Sequence, residues 1–139
     1  MSIKSLKRSG IKRPARLAIA KISAYMAISF AIVLSIVEAI RNWGNWQWWP
    51  FWVIDYIVVI LLISGAVLVL RKRNGAGRLL AFAWGVTFGS FYMSFWSHIE
   101  NFSNPAHGNI SQAPVTYLIG LGLLWSIVGF ILSLSKKAK

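Results

Sequence analysis

EAIRNWGNWQWWPFWVIDY, residues 38–56, is the stretch on which the interpretation of this chain depends. It holds five of the eight tryptophans and two of the three acidic residues, and a long apolar run lies on either side of it. Tryptophan joins an apolar body to a polar N–H group, so it prefers the boundary between membrane and water. We predict a short hairpin in the headgroup layer between two transmembrane helices. Its membrane-interface anchors are Trp43, Trp46, Trp48, Trp49 and Trp52.

The composition indicates an integral membrane protein. The 139 residues are 57% hydrophobic and only 13% charged, whereas a soluble domain carries about 25% charged residues. The length favours a single domain. The absence of cysteine excludes disulfides and thiolate metal ligands.

Four apolar runs predict an all-α, four-helix transmembrane bundle. The predicted spans are residues 17–40, 51–70, 79–97 and 115–134. Each is near the roughly 20 residues that cross a hydrocarbon core. Basic segments, residues 1–16 and 135–139, flank the spans, and a polar loop is predicted over 98–114. In the first segment, Gly10 and Pro14 are expected to break regular structure.

The basic residues predict the orientation. Every lysine and arginine except Arg41 lies in the N-terminal segment with Lys21, in the connection after the second span, or at the C-terminus. Cytoplasmic loops carry the excess of basic residues, so both termini are predicted to be cytoplasmic. Short connections then favour an up-down-up-down arrangement. We expect the chain to reside in a bacterial inner membrane.

The net charge of +12 raises two possible partners, nucleic acid and anionic lipid. The charge lies at the ends of apolar runs, so we expect anionic lipids on the cytoplasmic side and no nucleic acid. A basic N-terminal segment that docks a protein partner is the alternative.

The acidic and histidine residues form the most informative functional pattern, because all of them fall at the predicted outer end. They are Glu38, Asp55, His98, Glu100 and His107. An ionisable residue inside a membrane is a functional-site hypothesis by default. One interpretation is a ligand- or proton-binding site at that end, and its candidate residues are Asp55, Glu38, His98, Ser90, Ser94, Ser97 and Arg41.

Two other interpretations of this cluster are open. In the structural one, Glu38 pairs with Arg41 at i,i+3 and the helix dipole stabilises Asp55 near its N-terminus. In the other, a metal ion is bound by imidazole and carboxylate, with His98, His107, Glu100 and Asp55 as weak candidates. Haem would use His98 or His107 as an axial ligand. The cofactor is not identified by the sequence.

The third span carries a polar stripe and a ridge of small residues. The stripe contains Thr87, Ser90, Ser94, Ser97 and Asn101, and it is expected to face other helices, either for hydrogen bonding or as the wall of a hydrated path. The small residues permit close helix approach, within the chain or between chains. The predicted interface residues are Ala81, Gly85 and Gly89, with Gly122 and Ser126 on the fourth span.

Three functions are compatible with these features. The leading hypothesis is a non-enzymatic accessory subunit or assembly partner of a larger membrane complex, or a homo-oligomer, since no catalytic motif is present. The second is an outward-facing binding or transport site for a cation, proton or small amphiphile. The third is a metal- or haem-dependent membrane enzyme.

Overall fold

The computed structural model describes residues 3–44, 49–102 and 112–134, with side chains at 17–44, 50, 52–102 and 112–134. The described residues form four α-helices. They are α1 (Ile3–Asn42), α2 (Trp49–Leu70), α3 (Ala76–Glu100) and α4 (Gln112–Leu134). The all-helical prediction is therefore confirmed.

Each helix contains a segment long and apolar enough to cross a membrane. These segments are Leu17–Asn42, Trp52–Leu70, Ala76–Glu100 and Gln112–Leu134. Large apolar side chains remain exposed along all four helices, as expected where lipid rather than water is the solvent. The chain therefore has the makeup of a multi-pass membrane protein.

Several expected helix boundaries differ from the structure. Residues 112–114, expected in a loop, form the start of α4. The expected break at Gly10 and Pro14 is absent, because α1 begins at Ile3 and continues through both residues. Residues 98–100, expected in a loop, form the last turn of α3. The polar side chains of that turn bond back to the helix, since Asn101 Nδ2 donates to the Ser97 carbonyl oxygen at 2.9 Å.

The predicted interfacial hairpin is described in part. Trp43 follows α1 and is exposed, Gly44 has a φ of 75°, and α2 begins at Trp49. The Trp52 ring packs edge-on against Tyr56 with ring centroids 6.1 Å apart. Trp46 and Trp48 lie outside the described residues, and so does the side chain of Trp49.

Each helix packs mainly against two neighbours. α1 packs along α2 and α4, α3 packs along the same two helices, and α1 and α3 make a smaller direct contact across the core. Phe30 of α1 lies at the centre of the core, where its ring makes edge-on contacts with Trp84, Phe91 and Trp125 at centroid distances of 5.7, 5.2 and 5.7 Å. Such aromatic pairs stabilise beyond the area they bury, so this cluster joins α1 to α3 and α4.

A buried polar node joins the same three helices. The Ser23 hydroxyl of α1 donates to the carbonyl oxygen of Gly129 at 3.0 Å and accepts from Trp84 Nε1 at 3.1 Å. Ser23 and Trp84 are completely buried. The Trp84 indole also lies directly on Gly129, where a Cβ atom would overlap the ring. The three residues of the node are therefore in close contact.

The small residues of α4 are used for packing inside the chain. Phe91 lies on Gly122 as Trp84 lies on Gly129, and Ser126 between them is fully buried. The ridge of small residues on α3 is covered by other side chains at one position and open at another. A Cβ at Gly85 would meet Phe130 at 3.7 Å, whereas Gly89 is exposed and has no heavy atom within 4 Å of its Cβ position among the described residues.

The connection between α2 and α3 is a tight turn over residues 71–75. Arg73 N donates to the Leu68 carbonyl and Lys72 N to that of Val69, both at 3.0 Å, which is the Schellman pattern of a helix C-terminus. Lys72 occupies the left-handed position of this motif, with a φ of 54°, although glycine is the usual residue there. Gly75 then takes a φ of 77° immediately before α3.

Candidate functional site

A cavity of about 350 Å³, which we call the acidic-end cavity, lies between the helices at the end of the bundle that contains Glu38 and Asp55. Its wall is mostly aliphatic and aromatic, with Phe30, Leu34, Phe91 and Trp125 among its residues. The polar residues that line it are Glu38, Arg41, Asp55, Ser90 and Ser94. Small-molecule sites have this makeup, an apolar wall with a few polar groups.

Within this cavity, Glu38 is neutralised by its own helix. One carboxylate oxygen lies 3.7 Å from an Arg41 guanidinium nitrogen, and the other accepts from Asn42 Nδ2 at 2.8 Å. The spacing of i,i+3 and i,i+4 places all three side chains on one face of α1. The pairing of Glu38 with Arg41 proposed from the sequence is therefore present.

Asp55 has a different environment from Glu38. It projects from the second turn of α2 and is within electrostatic range of Glu38 and Arg41. Among the described residues, however, no hydrogen-bond donor contacts it and no cation lies within 4.0 Å. When all three side chains are ionised their net charge is −1, and Asp55 is the carboxylate that lacks a direct partner.

The polar stripe on α3 divides along its length. Thr87 is buried and its hydroxyl bonds back to the Ala83 carbonyl at 2.8 Å. Ser90 and Ser94 are half-buried at the cavity, and neither hydroxyl donates a hydrogen bond within the described part of the chain. Ser97 and Asn101 are exposed. The stripe thus supplies two free hydroxyl groups to the cavity wall.

Two further candidates lie away from this cavity. His98 does not line it, because its Nδ1 donates to the Ser94 carbonyl oxygen at 2.8 Å and so fixes the ring along α3. A carbonyl only accepts, so the proton is on Nδ1. Ser97 faces outward on the same helix. The structure thus brings together five of the seven residues suggested for the site.

The residues suggested for a metal form no cluster where they are described. In residues 3–44, 49–102 and 112–134 no three histidine, aspartate or glutamate side chains are close enough to hold a metal ion. Glu100 is exposed at the end of α3. His107 lies outside the described residues, as does any site that depends on it.

Two buried donors at the cavity have no acceptor in the described structure, and sequence reasoning missed one of them. They are Arg41 Nε and Trp125 Nε1. Buried donors without acceptors are uncommon in native proteins. The sequence position of Trp125 does not predict that it lines the cavity, because its place there depends on the packing of α4 against Phe30.

No protein-family model, curated protein or solved structure matches this chain.

Proposed function

We propose that the chain is a bacterial inner-membrane protein and that its acidic-end cavity binds a small cationic amphiphile. In transport, the same cavity releases this ligand. The observation that carries the proposal is the directly unpartnered Asp55 carboxylate at one end of an apolar cavity. The cavity volume of about 350 Å³ is within the range of small-molecule sites.

The charge balance favours a cation. Arg41 is already paired with Glu38, so the carboxylate of Asp55 is the charge that remains to be compensated. Leaving a carboxylate uncompensated below a membrane surface is costly. A cationic group in the cavity lowers that cost, whereas an anion adds to it.

The apolar wall favours an amphiphile over a metal ion. An ion such as Ca²⁺ takes about six to eight oxygen ligands. Because both oxygens of Glu38 already have partners, the cavity offers one carboxylate and two serine hydroxyls against a wall of aliphatic and aromatic side chains. Phe30, Phe91 and Trp125 provide ring surfaces for the apolar part of a ligand. Aromatic rings also attract organic cations.

The proposed orientation has both termini in the cytoplasm and the helices running up-down-up-down, so the cavity opens to the outside. Two observations support it. The start of the apolar segment of α1 (Leu17–Asn42) and the start of α3 share a second cavity with the ends of α2 and α4. The basic residues of the sequence gather at that end, which the positive-inside rule places in the cytoplasm.

Binding of tetraphenylphosphonium, a lipophilic cation, to the purified protein in neutral-lipid nanodiscs tests the proposal. We expect saturable binding by the native chain and at least tenfold weaker binding by Asp55→Asn. Glu100→Gln is the matched control, because it removes a carboxylate that is exposed and does not line the cavity. It should leave binding within twofold of the native value.

A second variant tests the cavity without changing charge. Ser90→Leu fills the space with an apolar side chain and should also weaken binding, while helical content and monodispersity stay native. Unchanged tetraphenylphosphonium binding in both Asp55→Asn and Ser90→Leu would reject the proposed site.

A second candidate function is the accessory subunit or assembly partner, alone or as a homo-oligomer. The observation that favours it is the open face at Gly89, which no described side chain covers, whereas Gly122 and Gly129 are covered within the chain. Gly89→Leu should then release a partner that co-purifies in gentle detergent, and Val128→Leu, on an exposed face of α4, should retain it. A strictly monomeric native protein in native membranes would count against this function.

A further inference from the structure

The end of the bundle opposite Asp55 contains a second cavity, of about 370 Å³, which we call the basic-end cavity. Four cationic residues line it: Lys21 from α1, Lys72 and Arg73 from the turn, and Arg78 from α3. Leu17, Val69 and Leu134 form part of its apolar wall. Cations from three parts of the chain thus meet around one space that also has apolar sides.

These four cations have no side-chain carboxylate to compensate them. The sequence contains only three acidic residues, Glu38, Asp55 and Glu100, and none lines this cavity. Like charges around one space repel each other, and the repulsion is relieved when an anion occupies the centre. No aspartate or glutamate side chain supplies such an anion at this end.

We propose that the basic-end cavity binds an anionic phosphate ester, and that the ester belongs to a membrane lipid. Arginine is suited to phosphate because its planar fork donates two parallel hydrogen bonds, and lysine adds a point charge. The apolar residues beside the cations match the acyl chains that a soluble phosphate lacks. This site is separate from the acidic-end cavity and does not rest on the function proposed for it.

The position of the cavity is consistent with a lipid. It lies beside the basic turn, at the end of the bundle where the apolar segments of all four helices stop, which is the level of the headgroups if the helices span the membrane. Basic pockets between helices at the cytoplasmic side bind anionic headgroups in other membrane proteins. A defined pocket predicts a stoichiometry near one, whereas a diffuse basic surface does not.

Native mass spectrometry of the delipidated protein in neutral detergent tests this inference. Titration with dioleoyl-phosphatidylglycerol should saturate near one lipid per chain, and dioleoyl-phosphatidylcholine should bind at least tenfold more weakly. A cation near a membrane surface contributes about fivefold to the affinity for an anionic lipid. Arg73→Gln should therefore weaken phosphatidylglycerol binding about fivefold, and Arg73→Gln with Arg78→Gln about 25-fold.

The matched control is Arg71→Gln, because Arg71 is in the same turn and carries the same charge but does not line the cavity. It should change the affinity less than twofold. Equal losses for Arg71→Gln and Arg73→Gln would overturn the pocket in favour of diffuse surface charge. Glycerol phosphate that binds as tightly as phosphatidylglycerol would overturn the lipid as the source of the phosphate. The single variants change exposed side chains, and their circular dichroism should be native.

Discussion

Glu38 and Asp55 are two carboxylates at the same cavity with opposite structural roles. Glu38 accepts a hydrogen bond from Asn42 and pairs with Arg41, so it contributes to the local structure of α1. Asp55 has neither kind of partner among the described residues. An ionisable side chain within a membrane-spanning segment that lacks a direct partner is a candidate for a binding function.

This contrast predicts that the two carboxylates respond differently to neutralisation. Asp55→Asn should raise the melting temperature in detergent or leave it unchanged, because it removes a carboxylate that has no direct partner. Glu38→Gln should lower stability by about 1 kcal/mol, because Arg41 loses its counter-charge. Thermal unfolding of both variants measures the difference, and a large loss of stability in Asp55→Asn would show that the residue is structural.

The buried hydroxyl of Ser23 is a second single group whose removal should change stability. Ser23→Ala should destabilise the protein by about 1–2 kcal/mol, because Trp84 Nε1 loses its acceptor inside the core. That exceeds the roughly 0.6 kcal/mol average for an interhelical hydrogen bond in a membrane, since one hydroxyl serves two partners. Ser35→Ala is the control, because Ser35 bonds only to the Ala31 carbonyl of its own helix. Equal effects of the two substitutions would contradict this account.

At the scale of elements, α3 and α4 associate through large rings on small residues. Trp84 and Phe91 of α3 lie on Gly129 and Gly122 of α4, at sites with no room for a further carbon. The sequence marked Gly122 as a small-residue position, but it did not indicate whether the partner was in the same chain.

Adding a methyl group at a covered glycine and at an open one should have different effects on stability. Gly129→Ala should cost about 1–3 kcal/mol, because its Cβ overlaps the Trp84 indole and forces the rings of the core to move. Gly89→Ala should be neutral or stabilising by up to about 1 kcal/mol, because alanine favours helix and the site is open. Thermal unfolding of both variants is the measurement. A Gly129→Ala variant as stable as the native protein would contradict the packing described for α4.

The turn between α2 and α3 offers a stabilising substitution. Lys72 has a left-handed backbone, which costs a residue with a side chain about 1–2 kcal/mol relative to glycine. Lys72→Gly should raise stability by about 1 kcal/mol, whereas Lys72→Ala, which loses the same charge but keeps Cβ, should not. If both variants changed stability equally, charge rather than backbone conformation would be the cause.

At the scale of the whole molecule, hydropathy predicted the four helices because each apolar run is long enough to cross a membrane. The segregation of charge predicted that the acidic residues share one end of the bundle, and the structure places Glu38, Asp55 and Ser94 around one cavity. The Ser23–Trp84–Gly129 node was not predictable, since its members are up to 106 positions apart and none stands out locally. His98, predicted beside the other candidate residues, does not line this cavity, and a sequence does not show that its ring bonds back to Ser94.

The two cavities lie at opposite ends of the bundle and differ in the charge of their side chains. One end gathers cations around a space that favours a phosphate, and the other holds a carboxylate without a direct partner beside aromatic rings. Under the proposed orientation, the first cavity anchors the chain to the cytoplasmic leaflet and the second opens to the outside. The functions proposed for both ends depend on their lying at opposite membrane faces.

Labelling of single cysteines tests this arrangement most directly, because the native chain contains no cysteine to interfere. Asn74 and Glu100 are exposed positions at the two ends of α3. In intact bacterial cells, a membrane-impermeant maleimide should react with the Glu100→Cys variant and should reach the Asn74→Cys variant only after the membrane is permeabilised. Reaction of Asn74→Cys in intact cells, with Glu100→Cys protected, would contradict the proposed orientation.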